Sequence, residues 1–263
     1  MITIKSDEEI EKIRECGKIS ASFFRYIESK IKPGITTKEI DRLAEEFIYD
    51  NGAIPSFKGY SGFPASICAS VNEEVIHGIP CNRVLKDGDI VGIDIGIKKF
   101  GMISDSAKTF TVGTVSEQTV KLLNRTHISL YKGISAVSAG KPVNDIGAII
   151  ESYINQFGYG IVREYCGHGV GYENHEEPEV LNYKTNRTKK LLKKGMVIAI
   201  EPMINMGKKE VFVTDDGWTV STKDRKYSAH FEHTVAVTDK GFDILTVDEQ
   251  ELNEFKSVLN NKN

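Results

Sequence analysis

The sequence predicts an α+β protein made of two similar halves, and three observations support this fold class. Capping-box patterns at Ser6 and at Thr36 introduce runs with helical apolar spacing. Strand-like runs follow at about 89–97 and 102–112. The third observation is an internal repeat, in which segments of the second half of the chain align with segments of the first.

The first half begins with two predicted helices. The first begins near Asp7 and ends at about Ser29, before the breaker at 32–34. The second follows Thr36 and carries apolar residues at helical spacing, namely Ile40, Leu43, Ala44, Phe47 and Ile48. The segment 52–80 is rich in Gly, Pro and Ser, which predicts loops mixed with short strands.

The internal repeat is visible in two separate alignments without gaps. The run PGITTKEIDRLAEEFIYDNG at 33–52 aligns with AGKPVNDIGAIIESYINQFG at 139–158. The run LKDGDIVGID at 85–94 aligns with LKKGMVIAIE at 192–201. Because the two alignments have nearly the same offset, we favour a duplicated α+β unit over chance periodicity.

We therefore predict a single catalytic domain over 1–263, with internal halves at about 1–115 and 116–250. Two related halves that pack face to face would form a central cleft, and such clefts are common ligand sites.

The composition excludes several classes of protein. The chain is 40% hydrophobic and 27% charged with a net charge of -3, so no direct nucleic-acid binding is expected. It contains neither an apolar signal core nor a run of about 18 apolar residues, so we expect no membrane partner. Its four cysteines are scattered without CxxC spacing, which favours a reducing cytoplasm.

Two aspartates lie in the strand-like run GIDIGIKKFGMISDSAKTF at 92–110. A hairpin centred between Lys99 and Phe100 would make Asp94 and Asp105 direct cross-strand partners, with Cβ atoms about 4.5–5.5 Å apart. Buried like charges repel, so the pair indicates either a metal site or a solvated strand end for one aspartate. The pair alone does not decide between these interpretations.

The repeat places Glu201 opposite Asp94, at the end of the apolar strand MVIAIEP. A buried carboxylate there needs a partner, which is either a metal or a basic side chain. Alternation in SAHFEHTVAVT places Glu232 on one strand face with His230 and Thr234, although a strand Glu is more often a solvent residue.

Three histidines lie in loop-like motifs. His168 stands between glycines in CGHGVG, His175 lies in NHEEP and His77 in VIHGIP. Each taken alone fits an ordinary solvated or hydrogen-bonded histidine. Taken together, four carboxylates and one imidazole drawn from both halves would neutralise two divalent cations. An oxygen-dominated ligand set suits manganese, iron, cobalt or magnesium better than a thiolate-type zinc site.

At this point the sequence resembles the methionine aminopeptidases of the short bacterial type I, which have the pita-bread fold. The motifs VNEEVIHGIP, GDIVGIDIG, SDSAKTF, GHGVGYENHEEP, IAIEPM and HFEHTVAVT carry the resemblance from about Ser6 to Val247. It implies two pseudo-symmetric α+β halves around a central antiparallel sheet. It also implies removal of the N-terminal methionine with two divalent ions, of Co, Mn, Fe or Zn. The implied metal ligands are Asp94, Asp105, His168, Glu201 and Glu232.

The same resemblance implies roles for the remaining site residues. Asp105 and Glu232 would bridge the metals, Glu201 would transfer the proton, and His77 and His175 would act beside them. The implied substrate-binding residues are Tyr60, Phe63, Cys68, His77, His175 and Trp218, with Cys68 as a wall residue rather than a nucleophile.

Two positions depart from the common pattern of these relatives. Asn174 stands where many have an aromatic residue, and Phe57 where many have a small residue or cysteine. Both are expected near the pocket mouth, so specificity for the second substrate residue is open.

Two alternative functions remain at this stage. A pita-bread enzyme that cleaves before proline usually has an additional N-terminal domain, for which the capping box at Ser6 leaves no room. A non-catalytic binding module on the same fold is the other, since fold does not fix function. The resemblance implies nascent polypeptide N-termini as substrates, the ribosome as a further candidate partner, and a monomer.

Overall fold

The computed structural model describes residues 2–186 and 190–260. Within these residues, the α-helices are α1 (Asp7–Glu28), α2 (Thr37–Asp50), α3 (Glu117–Ser135), α4 (Asn144–Ile154) and α5 (Glu249–Asn260). The strands are β1 (Ile54–Pro55), β2 (Cys68–Val71), β3 (Glu74–Ile76), β4 (Ile90–Lys99), β5 (Met102–Thr111), β6 (Gly160–Ile161), β7 (Gly167–Gly169), β8 (Glu176–Val180), β9 (Val197–Ile200), β10 (Met203–Asn205), β11 (Val211–Val213), β12 (Val220–Thr222), β13 (Ser228–His230), β14 (His233–Thr238) and β15 (Gly241–Ile244). None of these helices is long and apolar enough to cross a bilayer.

Two antiparallel sheets form the centre of the fold. The first contains β1, β4 and β2 in that order, and β5 also pairs with β4. The second has the order β15-β14-β9-β7-β8. Two backbone hydrogen bonds between Ala107 and Glu232 connect the two sheets, at 2.9 and 3.4 Å. The predicted central antiparallel arrangement is therefore observed, and its two parts meet at a predicted site residue.

The helix starts follow the capping signals. The hydroxyl of Ser6 accepts the Glu9 N–H at 3.3 Å, and the Glu9 carboxylate accepts the Ser6 N–H at 2.8 Å, which completes the predicted capping box. Thr36 accepts the Glu39 N–H at 3.1 Å. The Glu39 carboxylate binds Arg42 instead of returning to the cap, so the second box is half formed.

Each half packs a pair of helices against its own sheet. In the first half, α1 and α2 bury Phe23, Ile27, Ile40 and Ile48 against β4. In the second half, α3 and α4 bury a matching set that includes Leu130, Ile146 and Ile150, in one cluster with Ile198 of β9. The aligned segments 33–52 and 139–158 contain α2 and α4. The aligned segments 85–94 and 192–201 contain the first half of β4 and the whole of β9. The assignment of one catalytic domain with halves at about 1–115 and 116–250 stays a prediction.

The register predicted for the β4–β5 hairpin is wrong. Asp94 pairs with Ala107 and Asp105 pairs with Gly96, so the two aspartates are diagonal neighbours rather than direct partners. The turn consists of Phe100 and Gly101, with φ of 55° and 77°. Positive φ at both central residues is the type I′ geometry, which matches strand twist in two-residue hairpins. The prediction placed the turn one residue too early, but both carboxylates still share a sheet face.

The strand predicted around Glu232 is interrupted. It forms β13 and β14, with Phe231 and Glu232 between them. The predicted faces are nevertheless retained, since His230 and Thr234 approach the acidic residues while His233 contacts Tyr131 on the other side. The break lets Glu232 bridge to β5, which brings its carboxylate toward Asp105.

Candidate metal centre and substrate pocket

One cavity between the two halves collects every predicted site residue. Its lining residues are Phe57, Tyr60, Ser61, Phe63, Cys68, Ile76, His77, Asp94, Asp105, His168, His175, Glu201, Trp218 and Glu232. One end is acidic and the other is largely aromatic. The sequence therefore predicted the composition of this cavity, although the metal-binding and catalytic roles of its residues stay predictions.

Asp94 and Asp105 form one side of the acidic end. They project from the same face of β4 and β5, and each carboxyl group shifts the pKa of the other. Thr234 fixes Asp105 from β14, because its hydroxyl accepts the Asp105 N–H at 2.9 Å and donates to the Asp105 carbonyl at 2.7 Å. The sheet junction thus holds the pair in place.

Glu201 lies opposite, immediately after β9, between two imidazoles. Its Oε1 lies 3.4 Å from His168 Nε2, and its Oε2 lies 3.4 Å from His230 Nε2. The backbone carbonyl of Glu201 accepts a hydrogen bond from the Asn182 side chain at 3.0 Å. Glu232 completes the group, since ligand atoms of Asp105, His168 and Glu232 all lie within 4.8 Å of one another.

The carboxyl groups of this cluster must be neutralised, either by protons or by cations. Burial raises the pKa of Asp94, Asp105, Glu201 and Glu232, and neighbouring carboxylates add to the shift at Asp105 and Glu232. None of the described side chains lining the cavity is a lysine or arginine. A divalent cation would supply the missing charge.

Unpaired atoms in the cluster also fit metal ligation. Asp94 Oδ1, Asp105 Oδ1, Glu232 Oε1 and His230 Nε2 are buried, and none has a hydrogen-bond partner within the described residues. Buried polar atoms without partners are costly and need an explanation. Carboxylate oxygens beside one imidazole suit a hard or borderline divalent ion, so the residues present fit the metal site that the sequence predicts.

His168 is oriented by its own strand. Its Nδ1 donates to the Gly169 carbonyl at 3.0 Å, which leaves the Nε2 lone pair facing Glu201 and Asp105. Burial, with a contribution from His175, lowers the pKa of His168 to about 3, so the ring is neutral and able to ligate. The flanking glycines are required by packing, since a Cβ at Gly167 would lie 2.3 Å from the Ala199 oxygen.

Gly169→Ala should destabilise the protein strongly. Its Cβ would lie 2.3 Å from the Glu177 carbonyl oxygen, and neither strand can move without disturbing His168. We expect the free energy of unfolding to fall by about 1–3 kcal/mol or more, as measured by chemical denaturation. Gly92→Ala is the control, because its Cβ would meet no atom closer than 3.5 Å. Equal stability of the two variants would contradict this account of β7.

His77 and His175 lie at the rim of the acidic end. His77 has a φ of 59°, a region uncommon for non-glycine residues, and its ring meets that of Tyr165 edge-on. Burial and then the neighbouring histidines lower its pKa to about 4. His175 stacks on Tyr60, with Nδ1 3.1 Å from the tyrosine hydroxyl, and its ring centroid lies 4.3 Å from that of His168.

The other end of the cavity is an apolar wall. Its members are Phe57, Phe63, Ala65 and Cys68, with Ile79 and Trp218 packed against them. The rings of Phe63 and Trp218 meet edge-on at 5.1 Å. Trp218 follows a turn, which Asp216 closes by accepting the Trp218 N–H at 2.8 Å. Burial and then the Asp94 charge raise the pKa of Cys68 well above its usual range, so a neutral thiol faces the cavity.

The two residues that depart from the family pattern take different positions. Phe57 lines the cavity and packs over Gly96, where a Cβ would lie 2.6 Å from its ring. Asn174 is buried rather than at the mouth, and its side-chain amide donates to the Ser56 carbonyl at 3.0 Å. The expectation of a mouth position therefore needs correction for Asn174, which is absent from the lining.

Sequence reasoning gave His230 no role, although the structure places it against Glu201. The available signal was alternation, which put it on the Glu232 face. The anchoring roles of Thr234 and Asn182 were also missed, because each depends on a contact between segments far apart in the chain.

This arrangement, four clustered carboxylates and an imidazole between two similar halves, is that of a metal-dependent hydrolase. The family model described as metallopeptidase family M24 matches residues 11–239, so the chain belongs to this family. Family membership implies the use of divalent metal.

The more specific relatives are methionine aminopeptidases. The chain is 51% identical over 246 residues to methionine aminopeptidase 1 of Bacillus subtilis, covering 94% of this chain and 99% of that protein. The crystal structure of methionine aminopeptidase from Rickettsia prowazekii superposes with a TM-score of 0.92 at 42% identity, covering 94% and 100% of the two chains. The resemblance and the fold class predicted from sequence are confirmed.

A more distant structure belongs to the alternative class. The prolidase from Pyrococcus furiosus has a TM-score of 0.76 at 26% identity, covering 94% of this chain and 66% of that one.

Proposed function

We propose that this chain removes the N-terminal methionine from peptides and nascent proteins by metal-dependent hydrolysis. The observation that carries the proposal is the cavity itself, in which the predicted acidic residues and His168 converge beside an apolar aromatic wall. The acidic end accounts for hydrolysis, and the wall accounts for selection of an unbranched thioether side chain. The similarity to methionine aminopeptidases over nearly the whole chain supports the same conclusion.

Five residues would hold two divalent ions, namely Asp94, Asp105, His168, Glu201 and Glu232, with His168 as the imidazole ligand. Such ions supply a hydroxide nucleophile near neutral pH and polarise the scissile carbonyl. Cobalt, manganese, iron and zinc are the candidate metals, and the number of ions is part of the proposal.

The protein groups provide proton transfer and orientation. Glu201 takes a proton from the attacking water and returns it to the leaving amine, a role suited to a buried carboxylate that lines the cavity. His175 lies where a hydrogen bond can stabilise the oxyanion, held by Tyr60. His77 contacts the leaving side of the scissile bond. Phe63 and Trp218 enclose the methionine side chain.

Protons should be released when the metal binds. Near neutral pH the raised pKa values keep protons on the acidic cluster, and ligation requires ionised carboxylates. Metal affinity should therefore fall as the pH is lowered through these pKa values, by about tenfold per pH unit for each proton released. Calorimetry in two buffers with different ionisation enthalpies measures the number of protons. Metal binding without proton release, and with affinity independent of pH, would contradict the cluster electrostatics.

The decisive experiment is release of free methionine from a Met-Ala-Ser peptide after chelation and titration with Mn, Co, Fe and Zn. An Xaa-Pro peptide assayed in parallel tests the alternative class. We expect methionine release that depends on added metal and little cleavage before proline. Preference for the proline peptide would replace the proposed substrate, and the absence of divalent binding would favour a non-catalytic module.

The wider cellular setting belongs to the same proposal. Nascent chains are the proposed substrates, with the ribosome as a candidate docking partner, the cytoplasm as the compartment and a monomer as the active form. Sedimentation of the purified protein with and without ribosomes tests the monomeric state and the docking to the ribosome.

A further inference from the structure

We propose that a buried ion pair between Lys5 and Glu176 positions His175 for catalysis. The inference rests on the proposed function, because it assigns a positioning role within the same site. Lys5 precedes α1 and its side chain is only 1% exposed, while that of Glu176 is 7% exposed, and Nζ lies 2.6 Å from Oε2. Lysine is almost never buried without a specific partner, so this contact requires an explanation.

Glu176 uses both carboxylate oxygens to hold the loop that carries His175. Its Oε1 accepts the backbone N–H of Tyr172 at 2.7 Å and that of Glu173 at 3.2 Å. Its Oε2 accepts hydrogen bonds from Lys5 and from the hydroxyl of Thr3. One carboxylate therefore closes the loop on itself and ties it to the segment before α1.

The lysine is itself held in place. Its backbone N–H donates to the Gly195 carbonyl at 2.8 Å. Its stem passes over Gly171, where a Cβ would lie 2.6 Å from Lys5 Cε. The cation thus reaches the loop from a fixed position, and Gly171 leaves room for it.

His175 depends on this anchor because its own side chain has few contacts. The ring meets Tyr60 and His168, both on the cavity side. The two residues that flank it in the chain hold its backbone. On one side is Glu176, and on the other is Asn174, whose side-chain amide donates to the Ser56 carbonyl. Tyr172 and Glu173 are exposed, and the loop's further ties are the Tyr172 hydroxyl on Glu9 and the Gly171 N–H on the Glu173 carbonyl, so the Glu176 carboxylate is its buried anchor.

Positioning explains the ion pair better than stability does. Burying two charges costs free energy that their attraction only partly returns, and apolar replacements are often as stable. A misplacement of about 1 Å at a reacting centre can cost about 100-fold in rate. We therefore expect a loss of turnover on breaking the pair, together with some loss of stability, because removal of Lys5 alone leaves the Glu176 carboxylate without its cation.

Lys5→Met tests this inference, since it removes the charge and keeps an apolar stem. For methionine release from Met-Ala-Ser, kcat should fall by about 10- to 100-fold while KM and metal affinity stay near wild type. Lys5→Arg should recover part of the rate, because a guanidinium can reach the same carboxylate. Lys12→Met is the control, since Lys12 pairs with Glu8 on the exposed face of α1.

A second background separates positioning from a structural effect. In His175→Ala, Lys5→Met should cause no further fall in kcat, because the positioned group is absent. An equal fall in both backgrounds, or an unchanged kcat in Lys5→Met alone, would overturn the inference. If Lys5→Met does not fold, Thr3→Val weakens the same carboxylate contact and should show the same pattern at smaller size.

A measurement without turnover distinguishes this inference from the proposed function. The imidazole NMR signals of His175 should shift in Lys5→Met and not in Lys12→Met. If the wild type releases no methionine, the proposed function fails, while the NMR result still decides whether the ion pair holds His175. Unchanged His175 signals would refute the positioning role.

Discussion

Replacement of Asp94 or of His168 by alanine should abolish methionine release, even with excess metal. Loss of a group that merely supports a metal ligand typically costs about 10- to 100-fold, so loss of a ligand should exceed about 100-fold. Asp94 is half-buried and its Oδ1 is buried without a partner among the described residues, and His168 presents its Nε2 to the acidic residues. The measurement is the rate of release from Met-Ala-Ser at saturating manganese or cobalt.

The same variants should remain folded, which separates loss of metal from loss of structure. Removing Asp94 relieves the desolvation and repulsion of a crowded carboxyl cluster, so the chelated variant should be at least as stable as the chelated wild type. Added metal should raise the Tm of the wild type and not that of Asp94→Ala, since a ligand stabilises only the state that binds it. Asp50→Ala, at the exposed end of α2, is the control. Wild-type rates in either ligand variant with metal supplied would contradict the assignment.

The acidic residues could be predicted because the duplication places equivalent residues on equivalent strands. Asp94 and Glu201 occupy the same place in the two aligned segments, and both face the cleft in the structure. That inference needed only periodicity and the repeat. The convergence of Asp105 and His168 on the same point followed from the family resemblance rather than from local pattern.

The hairpin register could not be read from the sequence, for a local reason. The run Lys99-Phe100-Gly101 contains no Asn-Gly or Asp-Gly signal, so nothing marked Phe100 as the residue with positive φ. A turn misplaced by one residue shifts the pairing by two residues, from Asp105 to Ala107 opposite Asp94. Because side chains alternate with a period of two, both aspartates stayed on the correct face. A predicted register can thus be wrong while the predicted site composition is right.

Contacts between distant segments account for the rest of what the sequence did not predict. Lys5 and Glu176 are 171 residues apart, and each carries a charge that would ordinarily be assigned to the surface. His230 belonged to the correct strand face, but only the fold shows that this face meets Glu201. Periodicity assigns a residue to a face, whereas the partner across that face depends on tertiary packing.

Glu201→Gln should separate proton transfer from metal ligation. The amide oxygen can still ligate a hard cation but cannot take a proton, so kcat should fall by about 100- to 10,000-fold while metal binding weakens much less than in Asp94→Ala. In the wild type, protonation of Glu201 at low pH removes the base, so kcat should fall as the pH drops through the pKa of Glu201 in the metal-bound enzyme, which the cations hold below that of the metal-free cluster. The variant has no titrating group there, so its residual rate should lose this acidic limb.

Stopped assays over a pH series with metal held saturating measure both effects, and exposed Glu210→Gln should behave as wild type. An unchanged acidic limb in Glu201→Gln would move the role of base to another residue, for which His175 and His77 are the nearest candidates.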